Sequence, residues 1–183
     1  MTTESEKQIT NWINQQNVNW AAFTLKSPRI NERLKWEPLL KVFFTELERK
    51  YVKSTVRKHR AAAKEPLLKR VVWMGGDSAT STPLHCQGLV ELQEGGIDKL
   101  TEEMNQIWQH TVKNYFEKKH HRYIPEYNWM SEAKVWTEKF DNWNAYSSYL
   151  NRHEGNDLGF GVQKIDWSAT SLKSYATCIL KPC

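Results

Sequence analysis

Strand-like patterns recur along this chain of 183 residues as short apolar-rich runs bounded by turn-forming residues. Pro28 follows the first run, and the Gly75–Gly76 pair opens a turn after the second. The second and third runs are therefore predicted to pair as an antiparallel hairpin. A further strand is expected near residues 159–167. The runs themselves cover residues 18–26, 70–74, 84–92 and 131–139.

Helical periodicity lies between these runs. After Pro38, apolar residues recur at i, i+3 and i+4, which predicts an amphipathic helix of about four turns with Pro38 in its first turn. The same spacing follows the Gly95–Gly96 pair and predicts a longer helix that ends in the basic cluster 118–122. Two shorter helices are expected over residues 4–16 and 141–155.

The order of the elements favours an α+β fold. A strand, a helix, two strands, a helix, a strand and a helix predict a central antiparallel β-sheet flanked by helices, related to the split βαβ motif. No repeat, low-complexity tract or linker divides the sequence. We therefore expect residues 1–183 to form a single domain.

Several classes of protein do not fit the composition. No apolar run reaches the roughly 18 residues of a membrane span, and the polar start is unlike a signal peptide. We therefore expect an intracellular, cytoplasmic protein without a membrane partner. The three cysteines lack a CxxC pair, which predicts free thiols rather than a disulfide framework or a structural zinc site.

The charge balance indicates an anionic partner. The formal net charge is +5. The nine Trp, seven Tyr and six Phe residues argue against a disordered chain. An ordinary basic surface is the alternative. Cations concentrate over residues 53–70, where seven Lys and Arg residues accompany the single acid Glu65. This run is interpreted either as a DNA-facing loop or as a solvated helix end.

The His85-Cys86-Gln87 run carries the most specific chemistry. Strand geometry sends positions i and i+2 to one face, so the His85 imidazole and the Gln87 amide are expected side by side. Hydrogen bonds that satisfy both groups are the alternative. One imidazole with two oxygen ligands suits Mg²⁺ or Mn²⁺ better than zinc, and such a cation polarises and orients a phosphate.

A tyrosine-rich segment supplies a candidate nucleophile. Tyr146, Tyr149 and Arg152 follow one another at intervals of three residues, which places neighbours on adjoining turns of a helix. A tyrosine hydroxyl attacks as a phenolate, which nearby positive charge such as Arg152 favours. Packing of one tyrosine in the core and the other at its edge is the alternative.

Three motifs, in this order, resemble those of the HUH-superfamily nucleases. They are residues 23–26, residues 83–88 with the metal-binding His-x-Gln, and residues 149–155 with the tyrosine. The resemblance is to the Rep proteins that initiate rolling-circle replication in small single-stranded DNA viruses and related plasmids, and in its Gln form to circovirus-like members. It implies an HUH nuclease fold, and a metal-dependent enzyme that nicks and rejoins single-stranded origin DNA through a 5′-phosphotyrosine link.

The resemblance also assigns roles to residues. It implies that His85 and Gln87 bind the divalent metal and that Tyr149 is the nucleophile, with Tyr146 as a second one if the chain is like two-tyrosine members. The family places a third ligand on the preceding strand, for which Asp77 is the best candidate. Glu91 is the substitute, since strand parity keeps it on the face of His85.

Two residues depart from the family's usual pattern. Gln87 stands in place of a second histidine, which should weaken metal affinity without abolishing it. Arg152 stands where the family has a lysine three residues after the nucleophile, so a role in proton handling does not carry over.

The expected DNA partner is single-stranded origin DNA. A host or separate helicase and polymerase are also expected, because the chain has no GxxxxGK[ST] phosphate loop of a helicase domain. If the chain comes from a eukaryotic virus, we expect it in the host nucleus instead. A single-tyrosine HUH transposase and a non-catalytic single-stranded nucleic-acid-binding protein remain as alternative functions. The residues expected to contact DNA are Lys26, Arg57, Lys58, Arg60, Lys118, Lys119 and Arg122.

Overall fold

The computed structural model describes residues 13, 15–27, 30, 33–75, 85–120, 134–140 and 170–171. Within these ranges the protein is an α+β fold, with helices packed on an antiparallel sheet, in agreement with the predicted class. The elements are β1 (Trp20–Lys26), α1 (Arg33–Tyr51), α2 (Ser54–Ala62), β2 (Arg70–Gly75), β3 (His85–Glu91), α3 (Gly96–His120) and β4 (Lys134–Phe140).

The sheet places the strand of the His-x-Gln run in its interior. The strand order is β2-β3-β1-β4, and each neighbouring pair is antiparallel. The predicted hairpin of β2 and β3 is confirmed. Since β3 pairs with β1 on its other side, its backbone is held along both edges. Residues 170–171 pair with the outer edge of β2, where Ser171 and Arg70 exchange backbone hydrogen bonds of 2.9 Å.

Helices α1 and α3 cover one face of the sheet and form the main core with it. Aromatic rings fill the space between the two helices. The Trp36 and Trp108 rings stack with centroids 5.2 Å apart, and the Phe43 ring meets Trp108 edge-on at 5.6 Å. The apolar positions predicted for the helix after Pro38 are all buried: Leu39, Leu40, Phe43, Phe44, Leu47 and Tyr51.

Helix α1 begins five residues before the predicted start. It runs from Arg33, so Pro38 lies inside the helix rather than in its first turn. Tertiary contacts explain the extra turn: Trp36 is fully buried, and its Nε1 donates a hydrogen bond of 2.8 Å to the Ile30 carbonyl. This anchoring outweighs the backbone hydrogen bond that a proline removes from a helix.

The basic run of residues 53–70 contains helix α2, which has no buried residues. Of the two interpretations of this run, the helical one therefore fits residues 54–62. The chain leaves the helix through Lys64, whose φ of 53° is left-handed, before it enters β2. Val56 packs against the edge of the main core and accounts for one inward contact of this helix.

Gly88 is required by close packing in the middle of β3. A Cβ there would lie 2.4 Å from the Val71 carbonyl oxygen and 2.6 Å from the Phe23 ring. Phe23 is the register partner of Gly88 on β1. The aromatic ring therefore occupies the space that a side chain at position 88 would need.

Other predicted elements lie outside the described residues. These are most of the helix over 4–16, the helix over 141–155 and the strand near 159–167. The predicted strand over 131–139 is present as β4, Lys134–Phe140. Among the residues that are described, no helix is both long and apolar enough to cross a membrane.

Candidate metal centre

Side chains of β3 alternate between two faces of the sheet. Cys86 and Val90 belong to the core beneath α1 and α3, whereas His85 and Gln87 lie outside that core. This is the arrangement expected for positions i and i+2 of a strand. His85 is 6% exposed and Gln87 is 4% exposed, so both polar side chains are buried on the face away from the helices.

The neighbouring strands define the surroundings of the pair. Gly75 of β2 and Lys26 of β1 are the register partners of His85 on its two sides. Gly75 brings no side chain beside the imidazole. The Lys26 side chain is exposed.

Gln87 holds a buried oxygen without a hydrogen-bond donor. In the described part of the chain, Gln87 Oε1 is buried and has no hydrogen-bond partner. A buried polar atom left in this state costs about 1–3 kcal/mol. The oxygen is an amide carbonyl, which is a ligand type that Mg²⁺ and Mn²⁺ accept. A cation beside His85 would remove this penalty.

Glu91 lies further along the same strand and is engaged by Arg60. Arg60 Nη1 donates to Glu91 Oε2 at 2.6 Å, and Arg60 Nη2 donates to Glu91 Oε1 at 2.6 Å. The backbone amide of Lys69 donates to Oε2 at 3.2 Å. Because both carboxylate oxygens are occupied, the expected role of Glu91 as a metal ligand would require this ion pair to open.

The electrostatics of the ion pair favour its charged form. The side chain of Glu91 is 6% exposed and that of Arg60 is 15% exposed. The hydrogen bonds with Glu91 raise the pKa of Arg60 above its ordinary value, against the opposing effect of burial. Arg60 therefore stays protonated, and its bidentate geometry joins α2 to β3.

Of the four candidate metal ligands, three lie in the described residues: His85 and Gln87 side by side, and Glu91 in its ion pair with Arg60. In the same ranges, no three His, Cys, Asp or Glu side chains are grouped closely enough to hold a metal ion. The carboxylate expected to complete the site, Asp77, lies outside the described residues. Tyr146, Tyr149 and Arg152 also lie outside the described residues.

The residues expected to bind DNA are distributed over separate elements. Lys26 is exposed at the end of β1, and Lys58 is exposed on α2. Arg57 is half-buried on the same helix, and Lys118 is exposed near the end of α3. Arg60 holds Glu91, so DNA binding by its guanidinium would compete with that ion pair. The side chain of Lys119 and the whole of Arg122 lie outside the part of the chain that the structure describes.

Sequence reasoning missed two contacts near this site. The Arg60–Glu91 pair joins residues 31 positions apart, and Trp108 Nε1 donates a hydrogen bond of 2.9 Å to the Lys26 carbonyl across 82 positions. A buried strand carboxylate signals that a cation must be nearby, but spacing alone does not identify which one.

Comparisons with known proteins do not identify a family for this chain. No family model matches the chain, and neither a curated protein nor a solved structure gives a match.

Proposed function

We propose that this protein is a metal-dependent nuclease that nicks and rejoins single-stranded DNA through a tyrosine, like the rolling-circle initiators of the HUH superfamily. One observation carries the proposal. His85 and Gln87 are buried side by side on an interior strand, and Gln87 Oε1 lacks a donor among the described residues. A divalent cation provides the partner that this oxygen lacks.

The chain's own residues fit such a cation in part. A ring nitrogen of His85 and Oε1 of Gln87 would hold it from one face of β3, and a carboxylate, with Asp77 as the best candidate, would complete the protein ligands. A bound Mg²⁺ or Mn²⁺ supplies charge that polarises the scissile phosphate and orients it for in-line attack. Gly75, the register partner of His85 on β2, adds no side chain beside the imidazole.

In the proposed covalent step, Tyr149 is the nucleophile. The Tyr149 phenol gives up its proton to solvent, and the phenolate oxygen forms a bond to phosphorus. The bond from phosphorus to the 3′-oxygen breaks, and that oxygen takes a proton and leaves as a free 3′-hydroxyl. The reverse attack by a 3′-hydroxyl reseals the strand and releases the tyrosine. Arg152, three residues after Tyr149 in the sequence, would favour the phenolate by its charge.

A non-catalytic single-stranded nucleic-acid-binding protein is the second candidate. It is favoured by the engagement of Glu91 with Arg60, which gives one of the candidate carboxylates a structural role. Both candidates bind DNA, so binding alone does not separate them. They differ in whether a covalent DNA adduct forms.

A covalent trapping assay tests the proposal. A pool of randomised single-stranded oligonucleotides with a 3′ fluorescent label is incubated with the protein and Mn²⁺, and the products are run on a denaturing gel. A labelled protein band is expected, because the 5′-phosphotyrosine link retains the 3′ part of the DNA. Tyr149→Phe should abolish the band, and Tyr146→Phe is the matched control that should retain it.

A second readout tests the metal site without relying on catalysis. Mn²⁺ binding is titrated by calorimetry in the absence of DNA for the wild type, His85→Ala and His110→Ala. His85→Ala should lose binding, whereas His110→Ala, which removes an exposed histidine on α3, should retain it. Undiminished cleavage by His85→Ala, or binding of DNA without any adduct in the wild type, would contradict the proposed enzyme.

A further inference from the structure

The cations of residues 53–70 divide into two groups by their partners. Four of the seven are engaged within the fold. Lys53 pairs with Glu94, Arg60 with Glu91 and Arg70 with Glu48, and Lys69 Nζ donates to the Gln16 carbonyl at 2.9 Å. The largely buried contacts of Arg60, Lys69 and Arg70 brace α2 and the start of β2 against the rest of the fold, and Lys53 is paired with Glu94 at the surface. The four side chains are therefore poorly suited to holding a ligand.

The second group consists of Arg57, Lys58 and Lys64. Lys58 and Lys64 are exposed, and Arg57 is half-buried. No carboxylate among the described residues pairs with any of the three, and Arg57 Nε is buried there without a hydrogen-bond partner. Three cations on and just after one short helix therefore remain available to an anionic ligand.

The exposed surface of α2 has little that would obstruct a ligand. Ser54, Lys58 and Ala62 follow one another at intervals of four residues and are all exposed, which gives one continuous helix face. Ala61 and Ala63 are exposed as well. Methyl and hydroxyl groups around a lysine allow a polymer backbone to approach closely.

The Arg60–Glu91 pair connects this surface to the candidate metal centre. Glu91 and His85 are the two end residues of β3, which are about 20 Å apart at roughly 3.3 Å per residue. Helix α2 is anchored at the Glu91 end. A ligand that contacts both α2 and the metal centre must therefore be an extended polymer rather than a single small anion.

We propose that the three cations on and directly after α2, Arg57, Lys58 and Lys64, here together called the α2 face, bind the phosphate backbone of single-stranded DNA away from the scissile phosphate. Arg60 serves as the positioning residue that fixes the α2 face to β3. The choice of single-stranded DNA rests on the proposed function. The location of the contact rests on the sorting of cations by their partners.

Salt dependence of binding tests the α2 face directly. Fluorescence anisotropy measures the affinity of the protein for a labelled 30-nucleotide oligothymidylate between 0.05 and 0.4 M NaCl. Each lysine that contacts a single strand contributes about 0.7 to the slope of log K against log salt. This slope is negative, so Lys58→Gln/Lys64→Gln should reduce its magnitude by about 1.4, which corresponds to about 25-fold weaker binding at 0.1 M salt if binding is equal at 1 M.

The matched control removes the same charge elsewhere. Lys41 and Lys50 are exposed on α1, and Lys41→Gln/Lys50→Gln should leave the slope unchanged. Equal slope changes in the two double variants would overturn the proposal, because they would show an effect of net charge alone. No binding by the wild type would overturn it as well. Binding of labelled poly-glutamate is measured in the same way. If Lys58→Gln/Lys64→Gln weakens binding of poly-glutamate but not of oligothymidylate, the α2 face binds an acidic protein and the proposal is overturned.

The trapping assay distinguishes this inference from the proposed function. If the magnitude of the slope falls as expected but the wild type forms no adduct, the α2 face stands and the nuclease does not. If the adduct forms and the slope is the same in the variant, the nuclease stands and the α2 face does not. If both stand, the variant should raise KM for DNA and leave kcat unchanged, since the α2 face lies far from the reacting phosphate.

Discussion

At the scale of single residues, the Gln87 amide is the feature from which the metal proposal starts. Its buried oxygen has no donor in the described part of the chain, although the surrounding strands are fully paired. Burial of an unsatisfied amide weakens the metal-free fold. Retaining such a group is easier to understand if a ligand satisfies it in the working protein.

The first prediction separates the metal-free protein from the metal-bound one. In the presence of a chelator, Gln87→Leu should be as stable as the wild type or up to about 1 kcal/mol more stable, because it removes the unsatisfied oxygen. In a protein of this size that gain raises Tm by about 2–4 °C. The stabilisation that Mn²⁺ gives the wild type should disappear. Thermal unfolding with and without Mn²⁺ measures both effects.

Gln87→Glu is the companion variant, since a carboxylate keeps an oxygen ligand at the same place. It should be less stable without metal and should keep its stabilisation by Mn²⁺. A large loss of metal-free stability in Gln87→Leu would show that the amide is already well hydrogen-bonded, and would contradict a cation site at Gln87.

The second prediction concerns the ion pair between Arg60 and Glu91. Removal of one partner leaves the other charge in a largely buried position, so Glu91→Gln should lower the free energy of unfolding by about 3 kcal/mol. Arg60→Met/Glu91→Gln should lose less than the two single variants together, with a coupling energy of about 2 kcal/mol. Urea denaturation of the four proteins gives this value. Strictly additive losses would show that the two side chains do not stabilise each other.

At the scale of elements, the start of α1 can be tested by a single substitution. Pro38 lies inside a helix that begins at Arg33, where it removes one backbone hydrogen bond. Its side chain is exposed, so replacement disturbs no packing. Pro38→Ala should therefore raise Tm, which thermal unfolding monitored by circular dichroism detects. An unchanged or lower Tm is expected instead if the helix begins at Pro38, where proline is favourable.

Two glycines of neighbouring elements should respond differently to alanine. Gly88→Ala places a methyl group against the Val71 carbonyl and the Phe23 ring, and should cost about 3 kcal/mol through strain in β3. Gly96→Ala meets no atom within 4 Å, but the φ of 72° at this position is left-handed, so about 1 kcal/mol is expected. Urea denaturation ranks the two. A smaller loss for Gly88→Ala than for Gly96→Ala would contradict the packing around Phe23.

The elements also show which parts of the fold were predictable from sequence. Strands β1, β2 and β3 and helix α3 follow the predicted runs closely, because their apolar residues repeat with the period of the element. Helix α2 carries no apolar stripe, so its sequence left two interpretations open. Its position depends on Arg60 and Glu91, and spacing does not reveal a contact between residues 31 positions apart.

At the scale of the whole molecule, the net charge of +5 does not show which Lys and Arg side chains are paired within the fold. Counting Lys and Arg predicted a nucleic-acid partner and a basic run, but not which side chains remain available. Arg60 was expected on DNA and is committed to Glu91, whereas Lys64 was not singled out and is exposed. Charge patterns in a sequence therefore indicate a class of ligand, and the folded structure indicates which residues meet it.

The candidate site was likewise only partly predictable from the sequence. The placement of His85 and Gln87 on one face follows from strand geometry, and their sequence already indicated a strand. The absence of a hydrogen-bond donor for Gln87 Oε1 in the described ranges depends on the neighbouring strands and could not be read from spacing. The assignment of Tyr149 still rests on the resemblance of the third motif.

Mass spectrometry of the trapped adduct tests the central claim most directly. The wild type is incubated with the randomised single-stranded pool and Mn²⁺, digested with a protease and a nuclease, and searched for a tyrosine that carries a deoxynucleotide through its 5′-phosphate. The account predicts this mass on the peptide that contains Tyr149, and no such mass in His85→Ala. A deoxynucleotide on a different residue, or an equal yield from His85→Ala, would contradict it.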